Sequence, residues 1–190
     1  MEIVIFERTS ELYFMNLLKR FAEKNDGHYT EESLKEAFSP IGKMIYQPKS
    51  AYFKIGGSKI SVNLNEVGGA IPTAEPFRIT LHLDNKCGKI LEIYPVTYWD
   101  KILQSVFPST SKKIKDEYVF KSDSELIKKI TEEESIFNKL RKEKVYIRIP
   151  KENTSKIILT PTKGIDTEVQ FEGFISILKF LEEKITTVNV

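Results

Sequence analysis

The stretch Tyr52-Phe53-Lys54-Ile55-Gly56-Gly57-Ser58-Lys59-Ile60-Ser61-Val62-Asn63-Leu64 decides the fold. Phe53 and Ile55 alternate with Tyr52 and Lys54; past the glycines, Ile60, Val62 and Leu64 alternate with Lys59, Ser61 and Asn63. Successive side chains of a strand point to opposite faces, so each run has one apolar and one polar side. A Gly-Gly pair between two such runs predicts a β-hairpin, because primed turns need positive φ. Gly56-Gly57-Ser58-Lys59 shares composition with a phosphate-binding loop. That motif needs two glycines flanking four residues and a helix after them, and here a strand follows.

Downstream, a Gly/Pro-rich loop runs from Gly68 to Pro76, and Phe77, Ile79, Leu81 and Leu83 then alternate with Arg78, Thr80 and His82. Asp84 to Gly88 reads as a turn and Ile90 to Tyr94 as the returning strand of an antiparallel meander. Thr97 and Asp100 have capping-box spacing ahead of Ile102, Leu103 and Val106, with Asp in place of Glu or Gln. Trp99 falls on the buried side of that helix and Tyr98 on a more exposed one. Ser109 to Lys115 reads as a polar loop and Tyr118 to Phe120 as a short strand. Ser122 with Glu125 and Thr131 with Glu134 predict two helices through 123–141. Val145, Ile147 and Ile149 form a strand paired with Ile157 to Leu159. Asp166 caps a last helix that carries Phe171, Phe174, Ile175, Leu178, Leu181 and Ile185 on one face.

Upstream, Leu12, Met15, Leu18 and Ala22 give Ser10 to Lys24 a helical stripe, with Asn25-Asp26-Gly27 as its stop. Thr30 to Phe38 reads as a second short helix ending before Pro40. The whole predicts one α+β domain over residues 1–190. Its core is a mostly antiparallel β-sheet meander with helices packed on one face and a long C-terminal helix.

Composition narrows the function classes. The chain has 190 residues, 41% hydrophobic and 29% charged, with a formal net charge of +2. That is an ordinary globular balance, long enough to bury a core without staples. A single cysteine, Cys87, cannot close an internal disulfide and favours a reducing compartment. Met1 to Arg8 lacks the basic start and long apolar stretch of a signal peptide. No apolar run approaches the roughly 20 residues needed to cross a bilayer. A cytoplasmic protein with no membrane segment is therefore expected.

No motif marks catalysis. His82, Asp84 and Cys87 lie near one another, but a zinc site wants three or four protein ligands with paired cysteines or the His-Glu-x-x-His spacing. Cys87 in a turn beside Lys86 has no assignable base. There is no Gly-x-Ser-x-Gly elbow. The acid pairs Glu31-Glu32, Glu132 to Glu134 and Glu182-Glu183 sit on solvent faces or at helix starts. No catalytic residue, cofactor or metal is expected. The polar side of the meander is the least ordinary feature: Tyr52, Lys54, Lys59, Ser61, Asn63, Arg78, Thr80 and His82 project together. Basic sheet faces with aromatics bind RNA, yet Tyr52 is the one aromatic here and stacking platforms use two or three. The stripe Lys112, Lys113, Lys115 adjoins Asp116 and Glu117. Nucleic acid is therefore not the expected partner. Tyr52, Lys54, Lys59, Arg78 and His82, with Tyr98, form the candidate partner surface, for another protein or a second copy of this chain.

Two resemblances bear on this. The strand into Leu91-Glu92-Ile93-Tyr94, Phe107, the run Lys115-Asp116-Glu117-Tyr118-Val119-Phe120-Lys121-Ser122-Asp123 and the helix with Phe137 and Leu140 carry the first. With the hairpin and terminal helix that follow, Ile79 to Ile185 resembles a group of function-unassigned bacterial domains that often follow membrane-anchor helices. This chain departs in having no such helix. The element order is also similar to that of the small chaperones of type III secretion, which are acidic dimers; a pI of about 8.4 departs from that. The leading expectation is a non-catalytic binding or scaffolding domain with a protein partner. A secretion-chaperone-like dimer and an enzyme with a site assembled from distant residues are the alternatives.

Overall fold

The computed structural model describes residues 17–39, 42–68, 73–97, 100, 112–115, 117–162, 165 and 167–187. The chain forms two compact units, Met1–Thr80 with Gly164–Phe171, and Leu81–Lys163 with Glu172–Val190.

In the first unit, helix α1 (17–24) buries Leu17, Leu18, Phe21 and Ala22 and exposes Lys19, Arg20, Glu23 and Lys24. It ends as the sequence predicts, although the stop residues divide the task differently. Asp26, not the glycine, takes the left-handed conformation with φ 50°. The Gly27 amide bonds the Ala22 carbonyl at 2.8 Å, and the Asn25 side chain bonds the Phe21 carbonyl at 2.8 Å. This is a Schellman closure with aspartate at the left-handed position. Gly27 serves clearance instead. A Cβ there would overlap the Tyr52 carbonyl oxygen and stand 2.6 Å from the Phe53 Cβ. Gly27→Ala is therefore expected to lower the unfolding free energy by about 1–3 kcal/mol, because backbone cannot yield as a side chain can. A urea midpoint equal to that of the wild type would show that the turn after α1 does not press on the strand.

The hairpin forms as predicted. β4 (Lys49–Ile55) and β5 (Ser58–Gly68) pair antiparallel with Phe53 opposite Ile60 and Ala51 opposite Val62. Gly56 and Gly57 have φ of 53° and 87°, the positive pair of a type I′ turn. β1 (His28–Glu31) lies beside β4, and β6 (Thr73–His82) beside β5. The face bearing Ala51, Phe53, Ile60, Val62, Phe77 and Ile79 is buried. β2 (Lys35–Ser39) and β3 (Gly42–Tyr46) make a separate two-stranded sheet that sequence periodicity did not reveal.

The helix expected over Thr30–Phe38 is not formed. Its ends are strands instead, Thr30 and Glu31 in β1 and Lys35–Ser39 as β2, and Leu34 between them is 69% exposed. The outer edge of β4 offers unpaired amides and carbonyls that only an extended segment can satisfy, and His28–Glu31 does so.

In the second unit the strand order is β11-β10-β7-β9-β8. β7 (Leu91–Pro95) pairs with β10 (Val145–Ile149) and β9 (Tyr118–Lys121), and β10 pairs with β11 (Lys156–Pro161). The expected return of Ile90–Tyr94 alongside the preceding strand is thus corrected. The Leu83 amide bonds the Ser155 carbonyl and the Cys87 amide bonds the Thr154 carbonyl, so the 84–88 segment is tied to the 150–155 turn. Lys112–Lys115, expected as loop, is the strand β8 on the outer edge of β9. With one apolar residue in four, it had no alternation to read.

Helices α2 (Ser124–Thr131) and α3 (Glu134–Lys142) match the two expected through 123–141, running one residue further, but their caps differ. Asp123 accepts the Leu126 amide at 3.0 Å, whereas the Ser122 hydroxyl donates to the Ile90 carbonyl. Burial opposes ionisation of Asp123, but the Leu126 amide and Lys89, 3.1 Å away, hold its carboxyl below the ordinary value. Thr131 does not cap α3. It ends α2 and is buried. Phe120 and Phe137 meet edge to face, which sets α3 against the sheet. The final helix α4 (Glu168–Thr186) is capped by the Thr167 hydroxyl, which accepts the Gln170 amide; Asp166 lies outside the described residues. Its Phe171, Phe174, Ile175, Leu178, Leu181 and Ile185 are all buried. The unit boundaries fall inside β6 and inside α4. The fold is α+β on antiparallel sheet with a long C-terminal helix. No described helix is long and apolar enough to cross a membrane.

Candidate functional site

The polar side of the β1-β4-β5 sheet is built by strand alternation. Phe53 and Ile60 turn inward, so Tyr52, Lys54, Lys59 and Ser61 turn outward. Cross-strand register then makes the rows. His28 stands opposite Tyr52 and Tyr52 opposite Ser61; Thr30 stands opposite Ser50 and Ser50 opposite Asn63. Beside the glycine turn, Lys54 stands directly opposite Lys59. Like charges in that relation destabilise a sheet by a few tenths to about 1 kcal/mol. Among the described residues of these three strands no carboxylate shares this face. Tyr52 is 43% exposed, Lys54 is exposed and Lys59 half-buried. A cavity of about 240 Å³ adjoins the Ser50–Asn63 row and is lined by Lys35, Lys49, Tyr46 and Glu32 as well. Glu32 pairs with Lys35 at 2.6 Å.

The remaining expected surface residues do not all join this patch. Arg78 is half-buried on β6, opposite in orientation to buried Phe77 and Ile79. Thr80, expected on the solvent face, is buried. His82 is half-buried and belongs to the second unit. Tyr98, like Trp99, lies outside the described residues. Tyr52, Lys59, Ser61, Asn63, Arg78 and His82 each also interact within the chain.

A second polar face was missed. On the second unit's sheet Arg148 stands opposite Glu92, and Glu92 opposite Lys121. Lys121 Nζ is 3.1 Å from Glu92 Oε2 and 4.9 Å from the Tyr94 ring centre. The Tyr94 and Tyr146 rings stack with centroids 6.1 Å apart. Interaction with Tyr94 first, and with Glu92 after it, holds the Lys121 ammonium above the ordinary lysine value. Burial raises the Tyr146 hydroxyl. Tyr146 and Arg148 alternate with Val145, Ile147 and Ile149, so the signal existed in the half of the alternation that the core does not use. This face is neutralised from within: its cations flank an acid, and its tyrosines cover each other.

The remaining candidates are tied into the structure. The Cys87 thiol is buried and donates to the Thr154 carbonyl at 3.0 Å. No three metal-ligating side chains converge among the described residues. Asp100, a buried carboxylate, accepts from the Tyr94 hydroxyl and from the Thr97 amide and hydroxyl, the capping box that the spacing predicts. Lys113 bonds the Thr131 hydroxyl, and Lys115 bonds the Thr131 carbonyl while lying 4.1 Å from the Phe137 ring centre. Those two lysines close the C-terminal end of α2, where cations are favoured. Glu132 and Glu133 pair with Lys128 and Lys184. Comparison with known proteins gives no match to a family model, to a curated protein or to a solved structure.

Proposed function

We propose that this chain is a non-catalytic binding domain of the cytoplasm and that its partner is a protein, engaged by the polar face of β1, β4 and β5. The observation that carries the reading is the outward face of β4, where Tyr52 and Lys54 are exposed beside the cross-strand Lys54–Lys59 pair. The groups that could do chemistry, Cys87 and Asp100, are buried and held by backbone or capping bonds. Tyr52 and His28 are the exposed rings of the described residues on this face, fewer than a run of stacking platforms, which favours protein over single-stranded nucleic acid.

A photo-crosslinking residue in place of Tyr52, introduced in the cells that make the protein, tests this. A crosslink to one protein is expected, lost when Lys54 and Lys59 are both changed to Glu. A crosslinker in place of exposed Lys151 serves as the control. Equal capture at both positions, or none at position 52, would overturn the reading.

A further inference from the structure

We infer that the outer edge of β1 pairs with the same edge of a second copy of this chain, antiparallel about a two-fold axis at Thr30. β1 is the end strand of its sheet, with β4 as its single neighbour. The hairpin fixes where its backbone groups point. A two-residue turn closes on a hydrogen-bonded pair, here Ile55 and Ser58, so Phe53, Ala51 and Lys49 also bond toward β5. Ser50 and Tyr52 then bond toward β1, where Thr30 and His28 stand opposite them. The Glu32 amide bonds the Pro48 carbonyl at 2.9 Å, in the same phase. The amides and carbonyls of Tyr29 and Glu31 therefore point away from the sheet, and they bond no other segment among the described residues.

These four groups are their own complement. Rotation about Thr30 sets Tyr29 opposite Glu31 of the second copy, and Glu31 opposite its Tyr29. Each of the two pairs closes two backbone hydrogen bonds. The same register sets Thr30 against its own counterpart and His28 against Glu32, an imidazole facing a carboxylate. No two like charges stand directly opposite. The edge strand of the second unit is built the other way. β8 has three lysines in four residues, and Lys113 and Lys115 are tied to Thr131. Lysines guard an exposed edge against pairing, whereas β1 reads His-Tyr-Thr-Glu, with neither lysine nor proline. Edge pairing lies in the plane of the sheet, so the face bearing Tyr52 and Lys54 stays open and the inference is independent of the partner reading above. Four residues a side is far below a standard interface, so the dimer is a weak one.

Sedimentation velocity of the full chain from about 5 to about 500 µM is expected to show a monomer passing into a dimer. Glu31→Pro removes an amide that the single copy does not use, and proline is tolerated on the free side of an edge strand. It is expected to keep the wild-type circular dichroism and to weaken the dimer at least about tenfold. Glu31→Gln keeps the backbone donor and is expected to keep the dimer. Thr30→Cys reads the register without either variant. Opposed residues of a non-hydrogen-bonded pair have Cα atoms about 4.5 Å apart, within disulfide reach. Thr30 is exposed and the native Cys87 is buried, so mild oxidation is expected to link two copies through position 30. His28→Cys, also exposed, is expected to stay unlinked, because its counterpart lies four residues along the opposing strand. If Glu31→Pro does not fold, linking at position 30 and not at 28 decides the matter. A chain that stays monomeric at about 500 µM without linking at position 30, a dimer that survives Glu31→Pro, or equal linking at positions 28 and 30 would each overturn the inference.

Discussion

Phe171→Ala is expected to lower the unfolding free energy of the first unit by about 3–5 kcal/mol. Phe171 is fully buried and meets two other rings edge to face. Its centroid is 4.8 Å from Phe21 on α1 and 6.1 Å from Phe53 on β4; Phe21 and Phe53 are 5.4 Å apart. The three rings come from segments far apart in the chain, so the triad joins the start of α4 to α1 and to the hairpin. Truncation removes the transfer free energy of the ring, leaves a cavity that two rigid neighbours cannot collapse into, and forfeits two edge-to-face contacts. Urea unfolding followed by far-ultraviolet circular dichroism checks this. Phe171→Leu, which keeps most of the volume, is expected to lose clearly less. A midpoint unmoved by the alanine substitution would show that the triad does not hold the unit together.

Tyr118→Phe removes a single oxygen and is expected to cost about 2–5 kcal/mol. The Tyr118 hydroxyl lies 2.8 Å from the Leu140 carbonyl and 2.9 Å from the Glu143 carbonyl, and it accepts the Val145 amide at 3.2 Å. One hydroxyl proton serves the two carbonyls in turn, while the oxygen satisfies the amide. Without it, the C-terminal end of α3 and the first residue of β10 lose their shared partner, and Val145 is fully buried. The ring stays, so the loss reports the polar bonds alone. Burial is the chief cause that raises the Tyr118 hydroxyl above the ordinary tyrosine pKa of 10.0. The folded state therefore holds this proton more tightly than the unfolded one. Its contribution is complete below pH 10.0 and drains as pH rises toward the folded value. The stability gap between wild type and Tyr118→Phe should narrow above about pH 10. A gap constant across that range would show that the hydroxyl is not the linked group.

Of the candidate site, the outward turn of Tyr52, Lys54 and Lys59 was legible because strand alternation is local, and the two glycines announced the turn between them. His28 was not, since its segment was read as leading into a helix. Its place opposite Tyr52 depends on the free edge of β4, which no local pattern reports. Thr80 shows the same limit: alternation placed it correctly away from Ile79, but not whether its side of the sheet is open, and it is buried.

The sequence by itself determined which side of β4, β5, β6, β10 and α4 is apolar, where the I′ hairpin turns, where α1 and α4 lie, and that Thr97 and Asp100 close a capping box. Each of these follows from period, backbone conformation or a bond across three residues. Only the tertiary structure decided that β7 inserts between β10 and β9, that Lys112–Lys115 becomes the edge strand β8, and that Asp123 and not Ser122 caps α2. It also brought Tyr94 against Tyr146 and put the Tyr118 hydroxyl among three backbone groups. The physical reason is that backbone amides and carbonyls are alike in every strand. Which edge pairs with which is settled by competition among all the edges and helix ends of the folded chain, a comparison that no short window of residues contains.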